Sequence, residues 1–223
     1  MTRNRTQRGF TLVEAAVVVG IIAILAALAL PSLFRQRPRA NLAAATAELQ
    51  SLVHGARQQA LATGHDVWVI VFPDFVSTDG TGRVVVYEDG DFNFAMPSSP
   101  GGVDLDRIVP GTPAAAPRSR VVTTMDLPAG VTFGTDGAGP STLPAPLAGI
   151  DLTQGCSFCG TLADHRGAIR YDSRGRASFY GRAGVPLVTT GGALNLTSAP
   201  TISGQRTLVV TPITGTVRLL VNG

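Results

Sequence analysis

Residues 10–30 read FTLVEAAVVVGIIAILAALAL, a run that only Thr11, Glu14 and Gly20 interrupt. A helix rises about 1.5 Å per residue, so a run of this length would reach across the ~30 Å hydrocarbon core of a bilayer. Three arginines and no acid lie in the nine residues before it. The sequence therefore predicts a transmembrane helix with its N-terminus in the cytoplasm and the rest of the chain on the far side.

A cleaved secretory signal and a plain single-span anchor are alternative interpretations of this run. Ala27, Leu28 and Ala29 resemble a small-x-small cleavage site after an apolar core. Glu14 argues against both, because a carboxylate inside an apolar span costs about 2.5–3.5 kcal/mol on insertion scales and normally has a partner.

Residues 9–14 read Gly-Phe-Thr-Leu-Val-Glu and follow a short basic leader. This segment resembles the type III signal of type IV prepilins and pseudopilins. The resemblance implies that a prepilin peptidase cleaves between Gly9 and Phe10 and methylates the new N-terminus at Phe10. It also implies that Glu14 pairs with the terminal amine of a neighbouring subunit, and that Pro31 bends the helix beyond the membrane.

The pattern becomes amphipathic after residue 31. Between residues 32 and 64, apolar residues recur at three- and four-residue steps, and Gly64 is a natural end for a helix. The apolar stripe of this helix is expected to pack on a sheet. The stripe consists of Leu42, Ala45, Leu49, Leu52, Val53, Ala56 and Ala60.

The remainder, residues 65–223, has the pattern of a β-rich head. Residues 67–72 (VWVIVF) form a buried type of strand, and residues 83–88 pair with it across an Asp/Gly-rich turn. Further strands are expected at 121–125, 168–171, 177–180, 208–211 and 217–221. The predicted fold is α+β: a leader (1–9), an assembly helix (10–31) and an amphipathic helix (32–64) packed on a β-sandwich-like head of antiparallel strands.

A helix that leads directly into VWVIVF is similar to the GspH/FimT class of minor pilins and pseudopilins. Looser matches to that class are residues 57–60 at the helix end, residues 169–176, and the closing residues 208–218. Residues 90–160 show no pattern that we can assign.

The net charge of +3 comes from the leader. All 18 basic residues are Arg, and without the leader 15 Arg balance 15 acidic residues. A neutral mature chain provides little electrostatic steering towards nucleic acid. The 44% of hydrophobic residues and 15% of charged ones exclude a disordered tail and a charge-rich coiled coil.

No catalytic or metal-binding pattern stands out. His54, His65 and His165 lack metal-ligand spacing, and the sequence has no nucleophile elbow, phosphate-binding loop or H-E-x-x-H. The acidic residues 88, 89 and 91 lack the spacing of an EF-hand loop and are expected in a solvated turn. We expect a non-enzymatic protein without cofactor or metal; a membrane-anchored periplasmic enzyme is the alternative from another class.

Cys156 and Cys159 form a C-x-x-C pair between Gly155 and Gly160, outside any βαβ pattern. In an oxidising periplasm such a pair is expected to form a structural disulfide that closes a small loop. Free thiols stay open as an alternative. So does a redox or metal site, for which the pair supplies only two of four ligands.

DNA binding is the main alternative function. Some FimT-like minor pilins bind DNA through a C-terminal Gly-Arg-x-Arg motif. Residues 215–218 read Gly-Thr-Val-Arg, so Thr216 replaces the first arginine and one phosphate contact is lost. The remaining arginines could form a local basic patch, but a solvated sheet face is the favoured explanation for them. The candidate DNA contacts are Arg170, Arg174, Arg176 and Arg218.

These patterns together predict a minor pilin or pseudopilin in the tip or initiating complex of a type IV pilus or a type II secretion pseudopilus. Before assembly it would be a single-pass inner-membrane protein with a periplasmic head. Its expected partners are the prepilin peptidase, the inner membrane, and other pilin subunits that contact the N-terminal helix. A DNA-binding minor pilin for natural transformation is the alternative.

Overall fold

Helix α1 (Leu12–Thr63) is the longest element of the chain. The structure is a computed structural model that describes residues 11–78, 80–92, 94, 102–105, 118–137, 143–145, 147–160, 166–198 and 204–222, without the side chains of residues 29–36 and 222. The chain divides into two units, residues 1–37 and residues 38–223, and each is described by itself. The second is called the globular unit below.

The described part of the first unit is helical from Leu12 onward. Among the described residues, no helix combines the length and the apolar character needed to cross a membrane. The transmembrane character expected from the sequence therefore stays a prediction. The bend at Pro31 also stays a prediction, and α1 continues through this residue.

In the globular unit, α1 ends one residue before Gly64. Gly64 has a positive φ of 73°, and its N–H donates to the carbonyl of Ala60 at 3.0 Å. Glycine adopts this left-handed conformation without the steric cost that a side chain would add. The helix end predicted at Gly64 is confirmed.

Two antiparallel sheets follow α1 in the described part of the globular unit. Their strands are β1 (Asp66–Val76), β2 (Thr81–Asp89), β3 (Ser119–Asp126), β4 (Val131–Phe133), β5 (Gly167–Tyr171), β6 (Ala177–Tyr180), β7 (Pro186–Leu187), β8 (Gly192–Ser198), β9 (Gln205–Val210) and β10 (Val217–Asn222). The six-stranded sheet has the order β3-β2-β1-β5-β6-β7 and the four-stranded sheet the order β10-β9-β8-β4. The α+β class is confirmed, whereas the sandwich-like arrangement stays a prediction.

One hydrophobic cluster joins α1 to both sheets, with Leu49, Val69 and Leu194 among its fully buried members. Successive side chains of a strand point to opposite faces, so Trp68 lies on the other side of β1. There it stacks on Phe94, with ring centroids 5.1 Å apart. Because both faces of β1 are covered, the strand can be apolar without alternation.

The central region supplies the cover for the outer faces of the two sheets. Val103 and Leu105 join the cluster around Trp68, while Ile150 and Leu152 pack against Val209 of the four-stranded sheet. These parts of residues 90–160 therefore contribute to the packing of both sheets, a role that a local pattern does not reveal.

Strands occur at all seven predicted places, but β4, β7 and β8 were not predicted. Strand β8 contains Gly192, Ala193 and Asn195, which are residue types that strands disfavour. The buried amide of Asn195 donates to the carbonyls of Leu152 at 3.1 Å and Gln154 at 2.5 Å. A loop some forty residues away thus satisfies the hydrogen-bonding groups of this buried side chain. The residues of β8 alone therefore do not indicate a strand.

Candidate functional site

The N-terminal segment, defined here as residues 11–28, exposes apolar side chains throughout. Leu12 is 86% exposed, Ile24 64% and Leu28 74%. Exposed apolar surface of this extent marks a region that contacts another protein or a membrane. The segment is therefore the first candidate site.

Thr11 caps the start of this helix. The N–H of Glu14 donates to Oγ1 of Thr11 at 3.3 Å, and the carbonyl of Thr11 accepts from the N–H of Ala15 at 3.1 Å. The Thr-x-x-Glu spacing is that of a capping box, and an acid in the first turn interacts favourably with the positive end of the helix dipole. The carboxylate of Glu14 has no ion-pair partner in the described part of the chain.

Gly9 and Phe10, the predicted cleavage and methylation site, lie outside the described residues. Pro31 lies within α1, but its side chain is not described. The roles assigned to Gly9, Phe10, Glu14 and Pro31 therefore stay predictions.

Arg170, a candidate DNA contact, is engaged within the globular unit. Its Nη2 lies 2.7 Å from Oδ2 of Asp66, and its Nη1 donates to the hydroxyl of Tyr180 at 3.4 Å. Burial raises the pKa of Asp66, although Arg170 opposes this shift. The guanidinium therefore compensates an internal carboxylate, which leaves less of its charge for a phosphate.

Arg174 and Arg176 lie in the turn between β5 and β6. Nη2 of Arg176 is 2.8 Å from Oδ2 of Asp172, and the backbone N–H of Arg174 donates to Oδ1 of the same residue at 2.9 Å. Burial would raise the pKa of Asp172, but these donors lower it below its ordinary value. Arg174 projects into solvent beside this paired arginine.

Arg218 lies in the other sheet, exposed on β10, and no ion pair involves it among the described residues. The two turns that carry these arginines are nevertheless neighbours. A Cβ atom placed on Gly215 would clash with the carbonyl of Gly175, which accepts from Nε of Arg57 at 3.2 Å. The structure thus brings Arg174 and Arg176 beside the turn that precedes Arg218, while Arg170 points elsewhere into an ion pair.

Cys156 and Cys159 are joined by a disulfide, with their Cα atoms 5.4 Å apart. Both are buried, at 4% and 1% exposure, and both belong to the main core. A cavity of about 330 Å³ lies beside them, lined also by Pro73, Phe133 and Gln154. Within the described residues no group of His, Cys, Asp and Glu side chains could hold a metal ion.

A buried polar network surrounds Glu88, and no sequence pattern indicates it. Glu88 accepts from Nδ1 of His65 at 2.8 Å, from Gln59 at 3.2 Å and from Nε of Arg120 at 3.1 Å. Burial would raise the pKa of Glu88, but the three hydrogen bonds lower it. The solvated turn expected here is wrong for Glu88 and Asp89, which are 3% and 2% exposed. This network fixes the end of α1 to β2 and β3.

Comparisons with known proteins agree with the sequence motif. The family described as prokaryotic N-terminal methylation motif matches residues 4–30. The type IV wide pilus major component PilA4 of Thermus thermophilus is 49% identical over 49 residues, which are 22% of this chain and 37% of that protein. The match thus spans little more than a third of that relative. No solved structure matches the chain.

The prepilin-type motif and the similarity to a pilin support one interpretation of the N-terminal region. The chain is type IV pilin-like and carries a prepilin signal.

Proposed function

We propose that this protein is a minor pilin or pseudopilin, a non-enzymatic subunit that is inserted in the inner membrane through residues 10–31 and then packed into a filament. The N-terminus lies in the cytoplasm and the head in the periplasm before assembly. The subunit acts in the tip or initiating complex of a type IV pilus or a type II secretion pseudopilus. Other pilin subunits are its main partners.

The observation that carries this proposal is the N-terminal segment itself. Its apolar side chains are exposed over successive turns, and Glu14 has no cationic partner in the described part of the chain. Exposed apolar surface is unfavourable in water, so this segment needs a lipid or protein environment. In such an environment a carboxylate needs a cation, and the terminal amine of a neighbouring subunit is a cation of suitable size.

Maturation follows from the same motif. A prepilin peptidase cleaves after Gly9, where the absence of a side chain gives access to the scissile bond, and methylates the amine of Phe10. Cleavage creates the amine that pairs with Glu14 of a neighbour. Pro31 loosens the helix beyond the membrane-inserted part, because it removes one backbone hydrogen bond.

Intact-mass analysis of the full chain expressed with a prepilin peptidase tests the proposal. We expect a mature chain that begins at methylated Phe10, reduced processing of Gly9→Ala and none of Gly9→Val. A mature chain that begins near residue 30 would show ordinary signal-peptidase processing and would contradict the proposal. So would full processing of Gly9→Val.

The DNA-binding alternative has weaker support. Arg174 and Arg218 are exposed near neighbouring turns, but Arg170 and Arg176 are held by Asp66 and Asp172. Each phosphate contact adds to both affinity and salt dependence, so two paired arginines reduce both. Filament assembly is therefore the function that we propose.

A further inference from the structure

The two sheets have four edge strands: β3 and β7 in one sheet, and β4 and β10 in the other. An edge strand presents a row of unpaired N–H and C=O groups, which is a template for pairing with another chain. Native proteins protect such edges with bulges, prolines or very short strands.

Three of the four edges carry such protection. In β3, Thr123 pairs with Val86 but Val121 pairs with Tyr87, so Val122 is an extra residue that forms a bulge. Strand β7 has two residues and begins with Pro186, and β4 has three residues.

Strand β10 has neither a bulge nor a proline, and its one charged residue, Arg218, lies near its start. Its six residues pair with β9 in one unbroken register, and nothing in the described part of the chain pairs with its outer edge. Leu219 and Leu220 are half-buried, and Val221 is 59% exposed. Within the described part of the chain, the edge is thus regular, open and apolar from Leu219 to Val221.

The direction of its backbone groups follows from the turn before it. The N–H of Thr211 donates to the carbonyl of Thr216 at 3.0 Å, and hydrogen-bonded and non-hydrogen-bonded pairs alternate along an antiparallel ladder. Arg218 and Leu220 therefore direct their backbone groups towards β9. Leu219 and Val221 direct theirs towards the open edge.

We propose that β10 pairs with β10 of a second copy of this chain, antiparallel and with a two-fold axis at Leu220. The two four-stranded sheets then form one sheet of eight strands. Leu219 exchanges both hydrogen bonds with Val221 of the other copy, in agreement with the outward direction of these groups.

The polarity of the strand favours a second copy over an unrelated partner. Residues 218–222 read Arg-Leu-Leu-Val-Asn, which is polar at both ends and apolar between them. Reversing this order about Leu220 places apolar residues opposite apolar ones and Arg218 opposite Asn222. The two arginines lie at opposite ends of the pair, so like charges do not meet. A contact of this kind is isologous and closed. It goes beyond the proposed function, because it depends on neither cleavage nor filament assembly.

A cysteine at the two-fold axis tests the proposal. Residues that face each other in a non-hydrogen-bonded pair have Cα atoms about 4.5 Å apart, within the range of a disulfide. Purified full-length Leu220→Cys in detergent, oxidised with diamide, is expected to run as a covalent dimer on a non-reducing gel. The two Arg218 positions would be roughly 13 Å apart along the strands, so Arg218→Cys is the matched control and stays a monomer. Thr123→Cys, on the protected β3 edge, also stays a monomer.

A second pair of variants tests the hydrogen bonds themselves. In the Leu220→Cys background, Val221→Pro removes an N–H that points away from β9, so the pairing with β9 is retained while the dimer yield falls at least about tenfold. Val221→Ala keeps the N–H and the dimer. Circular dichroism melting of both variants establishes that the fold is kept.

Three results would overturn the proposal: no dimer of Leu220→Cys, equal yields for Leu220→Cys and Arg218→Cys, or a dimer that Val221→Pro leaves unchanged. Cross-linking of Leu220→Cys in cells to a different protein in place of itself would also overturn it. Because none of these readouts depends on processing at Gly9, failure here is distinguishable from failure of the proposed function.

Discussion

Two stretches of this chain are almost equally apolar but differ completely in their surroundings. Residues 17–25, VVVGIIAIL, lie in the N-terminal segment, where Val19 is 65% exposed and Ile22 60%. Residues 67–72, VWVIVF, lie in β1, where no side chain is more than 7% exposed. The first stretch has no cover in the described chain, whereas helix and loops cover both faces of the second.

The two stretches obtain their stabilisation from different sources. Burial of apolar area is favourable by roughly 25 cal/mol per Å², and β1 gains this within its own chain. Under the proposed function, the N-terminal segment gains it from lipid or from other subunits. Changes in β1 are therefore expected to affect folding, and changes in the N-terminal segment to affect assembly.

Trp68→Ala is expected to have the largest effect on the stability of the globular unit. The ring is 2% exposed and lies against Phe94 and Tyr180, with centroids 5.1 and 4.9 Å away. Its removal leaves a cavity and is expected to lower the free energy of unfolding by about 3–5 kcal/mol. Urea unfolding followed by circular dichroism measures this change.

Ile22→Ala is the matched variant in the N-terminal segment. Because Ile22 is exposed, the truncation is expected to change the free energy of unfolding by less than about 0.5 kcal/mol. A loss comparable to that of Trp68→Ala would contradict the comparison, since it would mean that Ile22 is buried in the folded chain.

The fold was predictable where a local pattern carries the information. The apolar stripe of α1, the end at Gly64 and the run in β1 each belong to a few consecutive turns or residues. Strand β8 was not predictable, because the polar residue Asn195 is acceptable only next to the carbonyls of Leu152 and Gln154.

The residues of the candidate site likewise differ in whether a local sequence pattern indicates them. The motif from Gly9 to Glu14 is contiguous in sequence, and the family match over residues 4–30 agrees with it. The pairing of Arg170 with Asp66 joins residues 104 positions apart, and no spacing rule reveals it. The network of Glu88 likewise needs side chains from separate elements, so its carboxylate was wrongly expected in solvent.

Removal of the disulfide is expected to have an intermediate effect. Cys156→Ala combined with Cys159→Ala releases a four-residue loop, for which chain-entropy arguments give a loss of about 2 kcal/mol. Urea unfolding measures the loss, and the wild type under reducing conditions should show a similar one. Non-reducing peptide mapping should find the two cysteines of the wild type linked to each other. Equal stability of the double variant and the oxidised wild type would show that the loop is held by its packing in the core alone.

A smaller effect than that of Trp68→Ala or of disulfide removal concerns Asp126, which bridges β3 to β2. Its Oδ2 accepts from Nη2 of Arg83 at 2.6 Å, and this pairing lowers the pKa of Asp126. A carboxyl whose folded-state pKa is lowered stabilises the fold above its unfolded pKa of about 3.9, and this contribution disappears as the pH falls through the folded-state value. Asp126→Asn is therefore expected to cost about 1–2 kcal/mol at pH 7 and progressively less below pH 4.

The control for Asp126→Asn is Glu48→Gln, an exposed carboxylate on α1 without an ion pair among the described residues. Its effect should be close to zero at either pH. The measurement is urea unfolding of both variants and the wild type at pH 7 and pH 3. A difference between Asp126→Asn and the wild type that is as large at pH 3 as at pH 7 would show that shape, and not charge, holds β3 in place. The globular unit would then depend on packing even at the polar edge of its sheet. It would differ from the N-terminal segment only because its apolar side chains are buried within the described chain, whereas those of the segment are exposed.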